Sequence, residues 1–124
     1  MNDKEFNAVV RISAQKRYEY FIKKIADSGE VWGLYDDGWA TSEDGNGNML
    51  VPFWPQKEFA AYCAKDGWES YVPECIELDE FIQEWLPGMK KDGNTPSVFW
   101  NTIDSAMVEV DVILRDLNNE LENY

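Results

Sequence analysis

Between Val31 and Trp54 the chain sets three short β-type runs apart with two turn-forming stretches, a pattern that favours a small antiparallel sheet. Val31-Trp32-Gly33-Leu34-Tyr35 is closed by the turn Asp36-Asp37-Gly38, and Trp39-Ala40-Thr41-Ser42 can return as the partner strand. The turn-rich stretch Glu43-Asp44-Gly45-Asn46-Gly47-Asn48 then leads into Met49-Leu50-Val51-Pro52-Phe53-Trp54. These segments predict an antiparallel meander. Pro52 cannot donate to a ladder, so its strand is expected at an edge or close to its own end.

Helical periodicity flanks this region. Phe6, Val9, Val10, Ala14, Phe21 and Ile25 recur at near-helical spacing, which predicts one helix over residues 4–27, stopped by Ser28-Gly29. Pro55 suits the first turn of a helix whose apolar face is Phe59, Tyr62 and Cys63. Residues 68–78 read as extended. Asp79 is the expected N-cap of a helix carrying Ile82, Trp85, Leu86 and Met89, kinked or shortened by Pro87 and ended by Asp92-Gly93-Asn94. Val98-Phe99-Trp100 reads as a further strand. The tail allows one long helix through Ile103, Met107, Val110, Leu114, Leu117 and Leu121, or a strand at 107–110 followed by a helix capped by Asp111. The β-branched density at 108–113 favours the second. The expected architecture is a single α+β domain over residues 1–124, with an antiparallel sheet of about five to six short strands. An N-terminal helix, two inserted helices and a C-terminal helix accompany it.

The chain has 124 residues, 44% of them hydrophobic and 15% aromatic, enough apolar material for one core and too much for a disordered chain. No apolar run approaches the ~20 residues of a membrane helix. The start Met1-Asn2-Asp3-Lys4-Glu5 lacks the basic-then-apolar order of a signal peptide, so the cytoplasm is the expected compartment. Cys63 and Cys75 form no metal-binding pair, read as small hydrophobes, and imply no disulfide in a reducing compartment.

The chain has no histidine, which removes Ser-His-Asp and Cys-His nucleophile systems and makes a zinc site improbable. Net charge is −13 and unevenly placed. Residues 1–24 hold six basic and three acidic groups (+3), and the rest of the chain holds five basic and twenty-one acidic groups (−16). Such a surface repels nucleic acid and suits a basic protein partner, with the chain itself a monomer or a homodimer.

Each local motif has to meet the chemistry it would perform. Asp44-x-Asn46-x-Asn48 fails as a calcium loop, because Met49 and Pro55 stand where glycine and a bidentate glutamate are needed. Gly45-Asn46-Gly47 has neither phosphate-loop spacing nor a tolerable charge environment. No cofactor and no metal are expected. Asp36, Asp37, Glu43 and Asp44 sit in neighbouring turns, where carboxylates are ordinarily solvated, with basic-partner binding as the sharper reading. The six tryptophans are mostly core, but Trp54 beside two prolines and Trp39 in a polar hairpin are expected to be partly exposed. An exposed apolar cluster rimmed by acids would be a docking surface. The candidate partner-binding residues are therefore Trp39, Trp54, Asp36, Asp37, Glu43 and Asp44.

Three segments carry a resemblance: Val31–Tyr35, the strand-to-helix joint Val51-Pro52-Phe53-Trp54-Pro55-Gln56-Lys57-Glu58-Phe59-Ala60, and Ile76-Glu77-Leu78-Asp79-Glu80-Phe81. In that order they resemble a bacterial family known as domain of unknown function 2750, over roughly residues 15–124. The resemblance implies a small α+β bacterial cytosolic domain and brings no activity with it. The layout is also loosely similar to SseB-like domains, small modules linked with secretion and toxin-immunity systems, as a fold-level analogy. The expected function is a non-catalytic protein-interaction module, immunity-like or regulatory. A small-molecule binder with an aromatic-lined pocket is the alternative, and a carboxylate- or tyrosine-based enzyme comes third.

Overall fold

A computed structural model of the chain describes residues 1–124. The N-terminal helical stretch is two helices instead of one, α1 (Asp3–Arg11) and α2 (Ala14–Ser28). The break lies at Ile12, which is extended, and at Ser13, whose hydroxyl caps α2 by accepting from the Lys16 N–H. In an unbroken helix Lys16 would donate to the Ile12 carbonyl. Here that carbonyl accepts from Arg17 Nη1 at 2.6 Å, and the Val10 carbonyl accepts from Asn101 Nδ2 at 2.7 Å. Side-chain donors therefore replace the local ladder. α2 ends at Gly29 in the left-handed region, φ 75°, as Ser28-Gly29 predicts.

The strands follow as β1 (Glu30–Tyr35), β2 (Ser42–Glu43), β3 (Met49–Phe53), β4 (Val72–Glu77), β5 (Thr95–Val98) and β6 (Ala106–Met107). The fold is α+β, and all strand pairs but one are antiparallel. The meander is corrected. β1 pairs with β4, while β2, β3, β5 and β6 lie side by side in that order. The turn after β1 returns only as far as a single Tyr35–Trp39 bridge, because β4 holds one edge of β1 and Trp54 bridges Trp32 on the other. β3 and β5 run parallel, with Leu50 opposite Thr95 and Phe53 opposite Val98. A parallel pair needs a crossover, and residues 57–92 supply it. β3 is thus an inner strand, and Pro52 lies beyond the two residues that pair with β2.

The crossover contains α3 (Lys57–Tyr62), β4, and a helical run made of α4 (Leu78–Glu80), a π-helical turn (Phe81–Trp85) and α5 (Leu86–Asp92). Pro87 accounts for the wide turn. It has no N–H, and its ring would press on the Gln83 carbonyl, so the preceding turn opens until the Leu86 N–H reaches the Phe81 carbonyl. Asp79 is not the N-cap. Glu77 holds that position and Asp79 lies in the first turn, where a negative charge still suits the helix dipole. Gly93 closes α5 at φ 74°. β5 sits earlier than the expected 98–100, because Phe99 enters the left-handed region at φ 56° and ends the strand. The tail is strand then helix, but the strand β6 is Ala106–Met107 instead of 107–110, because Val110 already begins α6 (Val110–Leu121), with Glu109 instead of Asp111 at the N-cap.

Phe21, Ile25, Phe53, Trp54, Phe81 and Ile113 are fully buried and centre a core between helices and sheet. Gly33 lets Trp39 approach the sheet, since a Cβ there would lie 3.0 Å from the indole ring. That indole packs edge-to-face on Trp85 at 4.8 Å. No helix is long and apolar enough to cross a membrane.

Candidate functional site

Strand alternation gives β3 two faces. Val51 and Phe53 turn into the core, while Leu50 and Pro52 turn the other way. The register sets Pro52 opposite Ser97 and Ser97 opposite Met107, and sets Leu50 opposite Ser42. These side chains floor a groove of about 500 Å³ on the outer face of the four-stranded sheet. Trp68 walls one side, Trp100, Ile103, Asp104 and Ser105 wall another, and Asp44 and Asp66 complete the rim. Ile103 is 84% exposed and Met107 58%, high values for large apolar side chains on one surface feature.

The wall at 99–105 is held by an unusually complete polar network. Asn101 Oδ1 accepts from the Ile103 and Asp104 N–H groups, while its amide donates to Val10 in α1. Arg17, 1% exposed, donates to the carbonyls of Ile12, Phe99 and Asp104 and to the Asp104 carboxylate. The Trp100 carbonyl accepts from Trp54 Nε1–H at 2.9 Å and from the Cys63 thiol at 3.0 Å. Phe99 and Thr102 take positive φ, as does Asp66 on the opposite wall. Non-glycine residues in that region are strained and persist only where their surroundings over-determine them. Of the four such residues in the chain, Asp66 lines this groove, and Phe99 and Thr102 flank its lining residues Trp100 and Ile103.

The indoles of Trp68 and Trp100 meet at 5.6 Å and 87°, forming an aromatic corner, and Trp54 backs Trp68 at 6.5 Å. Three aspartates and neither lysine nor arginine line the groove. Asp44 accepts from the backbone N–H groups of Asn46 and Asn48 and from the Asn48 amide. Those bonds hold its carboxyl below the usual range, the Asn48 amide foremost.

Of the six residues expected to bind a partner, only Asp44 reaches the groove. Trp54 is corrected: it is fully buried, because the end of β3 lies beneath the 99–105 wall. It positions Trp100 instead of being exposed itself. Trp39 is half-buried between Tyr35 and Trp85, away from the groove. Asp36 accepts from Ser70 Oγ at 2.7 Å beside the turn that closes β1, and Asp37 occupies that turn at φ 55°. Glu43 is exposed on β2 without lining the groove. The residues missed were Trp68, Trp100, Ile103, Met107, Asp66 and Asp104. One signal was available: Ile103 is a lone apolar residue inside the polar run Asn101-Thr102-Ile103-Asp104-Ser105, the mark of an exposed tip.

No group of three or more His, Cys, Asp or Glu side chains lies placed to hold a metal ion. Ser97 and Ser105 bond to each other at 2.9 Å. Burial pushes the Cys63 thiol up from 9.0 to about 12. Burial, aided by the Glu5 carboxylate, pushes Tyr20 from 10.0 to about 12. Both groups stay protonated in the folded chain while the unfolded chain loses their protons from pH 9–10 upward. Stability from this source is full below pH 9 and falls as pH rises toward 12. Urea midpoints followed by far-UV circular dichroism will show that decline; a midpoint flat to pH 11 contradicts it.

Fold and groove together define a small mixed α+β protein with an acid-rimmed, aromatic-walled groove on the open face of its sheet. The chain belongs to the family described as protein of unknown function (DUF2750), whose model matches residues 18–121. α1 lies outside the matched span. No curated protein and no solved structure matches the chain, so the looser likeness to SseB-like domains has no structural match behind it.

Proposed function

We propose that this protein is a non-catalytic interaction module that docks a basic partner protein on the groove. The observation that carries the reading is the combination of exposed Ile103 and Met107, two indoles and three aspartates on one concave surface, where only Asp104 is paired with a cation, Arg17 on its core side. Aromatic anchors in a desolvated centre with a polar rim are the chemistry of interface hot spots. Acidic rims speed encounter with basic partners. A non-catalytic role is supported by the groups present. The Cys63 thiol is buried and donates to a backbone carbonyl, and the Ser97 hydroxyl donates to Ser105 Oγ, with no histidine or lysine in the groove lining to serve either serine as a base. Such a module acts by occupying its partner, as regulatory or immunity-like accessory proteins do. Two free cysteines suit action in a reducing compartment such as the cytoplasm.

Ile103→Lys tests this with little risk to the fold, since it removes an exposed apolar contact, adds a charge of the partner's own sign, and surface substitutions of this kind stay within about ±0.5 kcal/mol. Affinity capture from native lysate is expected to retain a basic protein on the wild-type chain at low salt, and to lose it at high salt or on the variant. Identical capture by both chains removes the groove from consideration. The groove volume also matches small-ligand sites. A molecule co-purifying with wild type and absent from Ile103→Lys would favour that second reading.

A further inference from the structure

Resting on the docking reading above, the geometry points to an arginine side chain of the partner as the group this groove holds. We propose that the guanidinium meets the aspartate rim while its stem and plane lie along the Trp68–Trp100 corner. The three aspartates differ in what they offer. Asp44 already has both carboxylate oxygens bonded to Asn46 and Asn48, so it contributes charge more than a bond. Asp104 gives Oδ1 to Arg17 but its side chain is 58% exposed, which leaves Oδ2 to the groove. Asp66 is exposed and takes part in no ion pair. Its neighbour Lys65 does not neutralise it, because that ammonium lies 4.1 Å from the centre of the Tyr62 ring.

Two features of the groove discriminate between cations. Indole faces attract cations through the ring quadrupole, and they reward a planar, weakly hydrated group over a compact, strongly hydrated ammonium. A guanidinium also offers several donors to separate carboxylates at once. The chain makes the same choice internally: the Arg17 guanidinium sits 5.9 Å from the Phe99 ring centre and binds Asp104 from the core side of the same wall. The groove presents the outer side of that wall with a similar pairing of aromatic ring and aspartate left open. Leu50, Pro52, Ile103 and Met107 supply apolar contact for a neighbouring residue of the partner.

The test uses three blocked tripeptides, Leu-Arg-Leu, Leu-Lys-Leu and Leu-Gln-Leu, titrated into the isotope-labelled full chain while indole N–H signals are followed by NMR. The arginine peptide should shift the Trp68 and Trp100 signals and bind about tenfold more tightly than the lysine peptide, a gap of about 1.4 kcal/mol. Its affinity should fall as salt rises. Asp66→Asn should weaken it about three- to fivefold with a folded spectrum, since asparagine tolerates the left-handed backbone of that position. Trp68→Ala should weaken it more. Equal binding of the lysine peptide overturns the arginine proposal while leaving the docking reading in place, and equal binding of the glutamine peptide removes the basic partner as well. No shift in groove signals with any peptide at about 5 mM overturns both.

Discussion

Replacing Arg17 with methionine is expected to lower the folding free energy by about 3–5 kcal/mol. Methionine restores much of the buried volume, so the loss isolates the guanidinium's polar work. That group donates to Ile12 O at 2.6 Å, Phe99 O at 3.1 Å and Asp104 O at 2.9 Å, and pairs with the Asp104 carboxylate. The carboxylate is 58% exposed and water can replace its partner, so the ion pair itself contributes little. The backbone carbonyls are the larger component, because a buried acceptor left unpaired costs about 1–3 kcal/mol. The urea midpoint should fall with the slope unchanged. Arg17→Lys keeps the charge but cannot reach all the acceptors and should lose roughly half as much. A loss under about 1 kcal/mol for the methionine variant would show that the 99–104 wall does not depend on this side chain.

The second large effect is expected at Trp54. Trp54→Ala removes a fully buried indole and should cost about 3–5 kcal/mol through lost contact and the cavity left behind. Trp54→Phe keeps most of the ring yet deletes the N–H that reaches the Trp100 carbonyl, and should cost about 1–3 kcal/mol. In the phenylalanine variant that carbonyl retains only the Cys63 thiol as donor. Adding Cys63→Ala to Trp54→Phe should therefore destabilise by more than the sum of the two single changes, since both donors share one acceptor. Additive losses in this double-mutant cycle would mean that the pair does not act jointly on Trp100.

Local punctuation was legible in the sequence wherever a few neighbouring residues decide the backbone. Gly29 and Gly93 end their helices because the left-handed position after a helix excludes most side chains. Pro87 announced a disturbed helix, and the π-helical turn before it is that disturbance. The strand-then-helix order of the tail agrees with the expectation, but its sequence signal misplaced the strand: Val110, Val112 and Ile113 lie in α6, and the strand is Ala106–Met107. Ser13 shows the limit of such reading. A serine inside an apolar period looks tolerable, and it serves as a cap here while Arg17 and Asn101 take the Ile12 and Val10 carbonyls that precede it.

Charge and aromatic content predict an acid-rimmed apolar surface, and the structure has an acid-rimmed groove built mostly from other residues. Asp44 was the single residue in common. Trp54, beside Pro52 and Pro55, reads as the end of a strand and hence as exposed. Its burial depends on the 99–105 wall folding over it, a contact with a segment 46 residues away.

The sequence alone determined the α+β class, the helix ends, the uneven charge and the absence of histidine chemistry, because each depends on residue type or on neighbours within a turn. The tertiary structure alone decided that β1 pairs with β4, that β3 and β5 run parallel, and that Pro52, Ser97 and Met107 share one open face. Hydropathy marks a segment as a strand without naming its neighbour, and partner choice is made by contacts distant along the chain. The groove and its wall are of that kind: Arg17 reaches Asp104 across 87 positions, and no local window contains both.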